Sequence, residues 1–215
     1  MDTLIDNSDV FIAGFRTTIY LFLISAVGAL VLGVVIGAMR VAPVKAANVF
    51  GTVYVNTVRN TPLTLLMFFF AFGYDKLGLI DLSYFTLAAV ALSMYTASYV
   101  AETIRSGINT VPVGQAEAAR AIGLPFTQTL GLIVLPQAFR AVVPPMVSVF
   151  VALLKNTTIA AGFSVAEAGA IRATLSERGE PQLVVLLWVA AIFVALVMIL
   201  SLVQNRLEKK WAVSR

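Results

Sequence analysis

The sequence contains no cysteine and no histidine, and only 12% of its residues are charged. Without cysteine the chain forms no disulfide, and without both residue types it has no Cys/His metal site and no histidine-based acid–base catalysis. It also lacks the G-x-x-x-x-G-K-[ST] loop that cradles nucleotide phosphates. Any energy drawn from ATP must therefore enter through another polypeptide.

Apolar residues are in excess: 60% of the chain is hydrophobic and its mean hydropathy is +0.93. Soluble domains are roughly 45–50% apolar and about 25% charged, so this composition indicates an integral membrane protein. The apolar runs are continuous rather than alternating, which favours helices over a barrel. The length allows about five helices of about 20–25 residues. We predict an all-α polytopic membrane protein with a single domain, residues 1–215.

Two of the predicted spans carry polar interruptions. Arg-Asn-Thr-Pro, residues 59–62, divides the second, and Lys-Asn-Thr-Thr, residues 155–158, divides the fourth. Pro62 lacks an amide donor and disfavours helical geometry at Thr61, so the chain is expected to unwind there. Gly33 and Gly37 in the first span have the spacing of close helix packing within a bundle. The spans are placed at about residues 10–39, 46–73, 82–105, 136–158 and 182–204.

The basic residues are divided unevenly between the two sets of loops. Short basic loops stay in the cytoplasm, which puts the N-terminus outside and the C-terminus inside and requires an odd number of spans. Because the basic residues sit at span ends, the net charge of +4 does not indicate nucleic-acid binding. The basic residues assigned to the cytoplasmic side are Arg40, Lys45, Arg105, Arg120, Arg140, Arg206, Lys209, Lys210 and Arg215.

A polar segment, residues 109–137, separates the third and fourth spans. Ala116 to Ile122 has good helix formers, and Gly123 followed by Leu124-Pro125 ends the predicted helix. A short helix held between two spans provides a binding surface for a partner outside the membrane. The alternative is a polar loop in which Glu117 and Arg120 form an exposed i,i+3 pair.

This segment resembles the EAA signature of bacterial ABC importer permeases. Glu117-Ala118-Ala119 is followed by Gly123 after three residues and by Ile133-x-Leu135-Pro136 after nine more. The resemblance implies a cytoplasmic coupling helix that sits in a cleft of a separate ATP-binding subunit. The residues expected to contact that ATPase are Gln115, Glu117, Ala118, Ala119, Arg120, Gly123, Leu124 and Pro125.

The polar interruptions are the candidate translocation site, because ionisable groups at membrane depth are costly unless they face a cavity or a partner. An arginine offers the fork that grips a carboxylate in two places, so we expect Arg59, with Thr61, to hold a substrate carboxylate. Asn156, Thr157 and Thr158 would hold the other end, and Tyr95 and Tyr99 are weaker candidates on one face of span three. The structural alternative is that Arg59 and Lys155 reach an interface or neutralise a neighbouring acid.

Over essentially its full length the chain resembles the polar amino acid branch of this permease family. The carrying motifs are Arg-Asn-Thr-Pro, Ala-Glu-Thr-Ile-Arg-x-Gly-Ile and Val-Pro-x-Gly-Gln-x-Glu-Ala-Ala. Many relatives that carry basic amino acids have an aspartate where this chain has Asn156. A carboxylate at this position would favour a cationic side chain, and the neutral amide of Asn156 removes that attraction. Glutamate or glutamine is therefore the expected substrate.

The resemblance also implies partners in the bacterial inner membrane. These are a second permease half, either a homologous subunit or a second copy, a dimer of ATPase subunits, and an extracytoplasmic amino-acid-binding protein. ATP and Mg²⁺ would bind the ATPase, with no cofactor on this chain. An ion-coupled secondary transporter is the alternative, although it leaves the polar middle without a role and no inverted repeat is evident. An intramembrane enzyme ranks last, since no convincing acid pair is present.

Overall fold

A computed structural model describes the chain from Asp2 to Trp211, apart from the side chains of Asp75 and Trp211. Arg215 of the basic tail lies outside the described residues. The described chain is helical almost throughout and contains no β-strand. Its α-helices are α1 (Asp2–Asp6), α2 (Ser8–Val41), α3 (Lys45–Asn60), α4 (Leu63–Phe68), α5 (Tyr84–Asn109), α6 (Val113–Ala121), α7 (Phe126–Gln128), α8 (Leu135–Asn156), α9 (Ile171–Glu177) and α10 (Gln182–Trp211).

Four helical segments of the described chain are long and apolar enough to cross a membrane: Ser8–Val41, Tyr84–Asn109, Phe126–Phe163 and Gln182–Lys210. The predicted all-helical, polytopic membrane class is therefore confirmed. The second predicted span is made of two shorter helices, α3 and the apolar segment Leu63–Gly73. The count of five spans and the orientation across the membrane stay predictions.

The break between α3 and α4 lies at Thr61 and Pro62, as the sequence predicts. Thr61 has extended backbone angles, φ −93° and ψ 129°, and α4 begins directly after the proline. The cause is local, because the ring of Pro62 excludes helical geometry at the preceding residue. Leu63–Phe68 then continues into a π-helical turn over Phe69–Gly73.

The helix of the fourth predicted span begins well before Pro136, where the span itself is expected to start. Helix begins at Phe126, passes through a π-helical stretch over Thr129–Val134, and enters α8 at Leu135. A π-helical turn widens the backbone where the proline ring would otherwise meet the carbonyl four residues earlier. The helix therefore passes Pro136 without ending. The separate helix α6 and the non-helical residues of the predicted coupling segment all lie before Phe126.

The second predicted interruption does not unwind the chain. At Thr157 the helix tightens into a 3-10 segment, Thr157–Phe163, that continues directly from α8. No proline follows Asn156 within this stretch, so no side chain blocks helical geometry as Pro62 does. The unwound backbone expected at residues 155–158 is therefore absent.

Helix α5 lies at the centre and packs against α2, α3, α4 and α8. The glycines of α2 permit its close approach: a Cβ on Gly37 would lie 3.2 Å from Ile104, and one on Gly28 would overlap Ser93. The pairs Gly28–Ser93 and Gly37–Ile104 advance in the same direction, so the two helices run parallel. Small residues are the usual means of bringing membrane helices together, and the predicted packing role of the glycine spacing is confirmed.

Candidate functional site

A cavity of about 220 Å³ lies between α5 and α8. Tyr95 and Tyr99 enter it from successive turns of α5, with their hydroxyl oxygens 3.0 Å apart, and Asn156 enters from the end of α8. The structure thus brings together three residues predicted from separate segments. The remaining lining residues, which the sequence did not single out, are Thr96, Val149, Ala152 and Leu153.

Arg59 lies beside this cavity at the end of α3. Its guanidinium carbon is 5.0 Å from the centre of the Tyr99 ring, a distance at which a cation is attracted to the ring face. Its side chain is 40% exposed, and its Nη1 atom is 3.9 Å from Glu102 Oε2. Arg59 is therefore held loosely at the cavity edge, next to both a tyrosine face and an acid.

The three predicted threonines do not line this cavity. Thr157 is fully buried and its hydroxyl donates to the carbonyl of Leu154 at 2.7 Å. Thr158 donates to the carbonyl of Lys155 at 2.8 Å, and Thr61 donates to that of Thr57 at 2.9 Å. Each hydroxyl donates within its own helical turn, and the substrate contacts of these three side chains stay predictions.

Glu102, one turn beyond Tyr99, is surrounded by guanidinium groups. Arg105 donates to it at 2.6 Å and Arg40 also forms an ion pair with it. Arg40, which the sequence pattern assigns to a short basic loop after the first span, instead lies within α2, which extends to Val41, and its side chain is only 8% exposed. Helical spacing from Gly33 and Gly37 puts Arg40 on the α5-facing side of α2, a signal that could have revealed this pairing.

Helix α6 occupies the middle of the predicted coupling segment. It ends where Gly123 takes φ +89°, a left-handed conformation that favours glycine. One face is buried against the π-helical stretch through Ala119, and the Leu124 amide donates to the Ala119 carbonyl at 3.1 Å. The other predicted contact residues are exposed, namely Gln115, Glu117, Ala118, Arg120, Gly123 and Pro125.

Three large apolar residues flank α6 with most of their surface exposed, and the sequence pattern did not single them out. Val113 is 72% exposed, Ile122 is 80% and Phe126 is 73%. They surround Glu117 and Arg120, which form no salt bridge with each other in the described structure. Apolar side chains rimmed by polar ones are typical of a protein docking surface. The i,i+3 ion pair of the alternative interpretation is therefore not formed among the described residues.

Residues 12–213 match the family described as binding-protein-dependent transport system inner membrane components. The chain belongs to this family. The permease is 42% identical over 214 residues to the glutamate transport system permease protein GluC of Corynebacterium glutamicum, covering 94% of this chain and 93% of that one. It is also 42% identical over 156 residues to the probable glutamine ABC transporter permease protein GlnM of Bacillus subtilis, covering 73% and 72%.

Solved structures share the permease's fold. A chain from the crystal structure of an amino acid ABC transporter with histidines superposes with a TM-score of 0.91 at 24% identity, covering 97% of both chains. A chain of the inward-facing MetNI methionine ABC transporter gives 0.78 at 20% identity and covers 98% of this chain and 99% of that one. The predicted membership of the ABC importer permeases is confirmed, and the ion-coupled alternative is not retained.

The permease has a buried carboxyl at the end of the bundle opposite α6. Glu167 is 0% exposed, and its oxygens accept hydrogen bonds from the Thr18 hydroxyl at 3.0 Å and the Gly169 amide at 2.6 Å. Burial raises the pKa of Glu167 to about 7, although these hydrogen bonds oppose the rise. Sequence reasoning missed this residue; an acid among the small apolar residues 159–169 was the available signal.

The stability of the permease is expected to depend on this carboxyl. Because the folded pKa is raised, ionisation opposes folding, so stability falls as the pH rises from about 4.5 through about 7. The loss in free energy of unfolding is up to about 3 kcal/mol. Thermal inactivation in detergent across that range measures it. Glu167→Gln should flatten the profile. Asp9→Asn should not, because Asp9 is an exposed acid that lines a small cavity together with Glu167. Equal slopes in wild type and Glu167→Gln would refute the assignment.

No group of three or more histidine, cysteine, aspartate or glutamate side chains comes together to hold a metal ion in the described part of the permease. The Tyr95 and Tyr99 hydroxyls are hydrogen-bonded to each other, and the Arg59 guanidinium lies over the Tyr99 ring.

Proposed function

We propose that this permease carries glutamate or glutamine into the cell, with ATP hydrolysed by a separate subunit. The observation that supports this substrate class is the charge around the cavity. A guanidinium, Arg59, stands at its edge and a neutral amide, Asn156, at its other end. Similarity to permeases named for glutamate and glutamine transport points the same way.

The charge distribution favours an anionic or neutral solute over a cationic one. The lining residues described for this cavity include no acidic side chain, so nothing there would neutralise the side chain of lysine or arginine. The Arg59 guanidinium would bind the substrate α-carboxylate through charge-assisted hydrogen bonds. Asn156 offers both a donor and an acceptor, and so suits the carboxylate of glutamate or the amide of glutamine.

Energy would enter through α6. Its exposed polar residues, Glu117 and Arg120, and the exposed apolar residues Val113, Ile122 and Phe126 would together contact the ATPase. ATP and Mg²⁺ would act there, on the partner. A second permease half, either a related subunit or another copy, would complete the pathway, and an extracytoplasmic binding protein would deliver the amino acid.

Exchange of Asn156 for aspartate tests the substrate assignment. The new carboxylate should repel glutamate and attract a cationic side chain, shifting the preference for arginine over glutamate by about 10- to 100-fold, since a charged hydrogen bond is worth about 1.5–3 kcal/mol. Equilibrium binding of labelled glutamate, glutamine, arginine and lysine to the solubilised permease–ATPase complex measures this shift.

Asn156→Ala is the matched control, because it removes the amide without adding charge. It should weaken binding of glutamate and glutamine without creating a preference for arginine. Preferred binding of arginine or lysine by the wild-type complex would overturn the proposed substrate. Copurification in mild detergent, followed by identification of every bound polypeptide, tests the proposed partners. Recovery of the permease without an ATPase would contradict them.

A further inference from the structure

Glu102 lies at a point where three arginines from three different positions in the fold converge. Its carboxylate is held closely by Arg105, at 2.6 Å, and by Arg40 of α2. Arg59 of α3 is the third, at 3.9 Å. The cluster therefore holds three positive charges against one negative charge, in a setting where the carboxylate is only 25% exposed.

The three arginines are not equivalent. Arg40 is the most deeply buried, and its Nε atom has no hydrogen-bond partner among the described residues. Arg105 shares a helix with Glu102 and contacts both of its oxygens. Arg59 is at the limit of an ion-pair distance and rests mainly on the Tyr99 ring. Glu102 is thus anchored by two arginines, and it attracts the third without holding it.

Two cavities lie between α5 and α8 near this cluster. The first, lined by Tyr95, Tyr99 and Asn156, is the proposed substrate site on one side of Arg59. The second, of about 250 Å³, lies further along the same groove between α5 and α8 and is closer to α6. Its lining begins with Glu102 itself and includes the hydroxyl residues Thr103, Ser106 and Thr110. A solute moving along the groove from one cavity to the other passes the Glu102 carboxylate.

We propose that the Glu102 carboxylate competes with the substrate carboxylate for the Arg59 guanidinium. The two carboxylates exchange on Arg59 as the substrate passes from the first cavity to the second. This inference rests on the proposed function. The incoming substrate carboxylate replaces the weak Arg59–Glu102 interaction with a closer interaction of its own with Arg59. Glu102 recovers Arg59 when the substrate moves on, so the guanidinium does not retain its ligand.

The excess of positive charge explains why such a competitor is needed. Three guanidinium groups with no carboxylate among them would bind an anionic solute tightly, because partial burial strengthens each interaction. Tight binding within the pathway slows release, and conduction through a pathway needs sites that are also easy to leave. A protein carboxylate fixed beside Arg59 weakens substrate binding and thereby speeds release of the substrate.

The test removes the carboxylate while keeping its shape. Glu102→Gln should tighten equilibrium binding of labelled glutamate to the solubilised permease–ATPase complex by at least about fivefold, and slow ATP-driven turnover by at least about fivefold. The double variant E102Q/R105Q keeps the wild-type net charge of the cluster and still lacks the competitor, so it should show the same two changes. Glu102→Asp, which retains the carboxylate on a shorter side chain, should show smaller changes than Glu102→Gln in both measurements.

The outcomes separate competition from other roles. A purely structural role predicts slower turnover with unchanged or weaker binding, and a role through net charge alone predicts that E102Q/R105Q behaves as wild type; either result overturns the proposal. Should Glu102→Gln fail to assemble, the double variant carries the same test, because its charge balance is unchanged. Failure of the wild-type complex to take up glutamate or glutamine with ATP would instead refute the proposed function.

Discussion

Replacement of Arg59 by alanine is expected to weaken glutamate binding by the permease–ATPase complex by about 10- to 100-fold and to reduce uptake correspondingly. Charge-assisted hydrogen bonds to a carboxylate are worth about 1.5–3 kcal/mol, which corresponds to that range. Arg59 is 40% exposed and rests on the Tyr99 ring rather than in a tight ion pair, so its removal leaves no buried charge without a partner. The fold and the association with the ATPase should therefore persist.

Two further variants show whether the effect belongs to the guanidinium. Arg59→Lys keeps the charge but loses the planar fork, so it should retain part of the binding. Lys155→Ala removes another cation, which is exposed and does not line the cavity, and it should leave binding within about twofold. Normal transport by Arg59→Ala would reduce Arg59 to a structural residue and remove the main support for an anionic substrate group.

Gly123→Val is expected to lower ATP-driven uptake at least about tenfold while the protein remains in the membrane. Gly123 has φ +89°, where a β-branched side chain is strained at a cost of roughly 1–3 kcal/mol. Relief of that strain would turn the end of α6 and displace Ile122 and Leu124, beside the proposed ATPase contact. Uptake into proteoliposomes, together with the amount of ATPase that copurifies, measures the effect.

Gly179 offers a matched control for this variant. It has φ +82°, and at both glycines no atom of the described residues, apart from the glycine and its two chain neighbours, lies within 4 Å of the position that a Cβ would take. Gly179 lies between α9 and α10, away from α6, so Gly179→Val introduces equal local strain without touching the coupling segment. Uptake should therefore change by less than about threefold. Equal losses in both variants would assign the effect to backbone strain in general, and normal uptake by Gly123→Val would contradict the coupling role.

Features set by neighbouring residues could be predicted from the sequence. The break at Thr61 follows from Pro62, and the end of α6 follows from Gly123. The continuous helix through Pro136 could not be predicted in the same way, since it depends on a π-helical stretch that accommodates the ring. Similarly, the polarity of Lys-Asn-Thr-Thr, residues 155–158, predicts an interruption of the helix. Each threonine hydroxyl instead bonds to a carbonyl of its own helix, and the chain stays helical.

Features that depend on distant contacts were harder to predict. Arg40 reads as a loop residue because basic residues cluster at span ends, but it lies on the α5-facing side of α2 and pairs with Glu102, 62 residues away. Glu167 depends likewise on Thr18, 149 residues away. Tyr95, Tyr99 and Asn156 were identified from helical spacing and from the family motif, and the fold places them in one cavity. The roles of these residues in transport stay predictions.

Uptake of labelled glutamate into proteoliposomes that contain the permease, its second half and the ATPase, with the binding protein supplied, tests the central claim most directly. The chain has no phosphate loop of its own, and the exposed residues at α6 are the proposed contact for the ATPase. Uptake should therefore require both ATP and the ATPase, and should not respond to an imposed ion gradient. Accumulation of glutamate by the permease alone, driven by a sodium or proton gradient with no nucleotide present, would contradict the account.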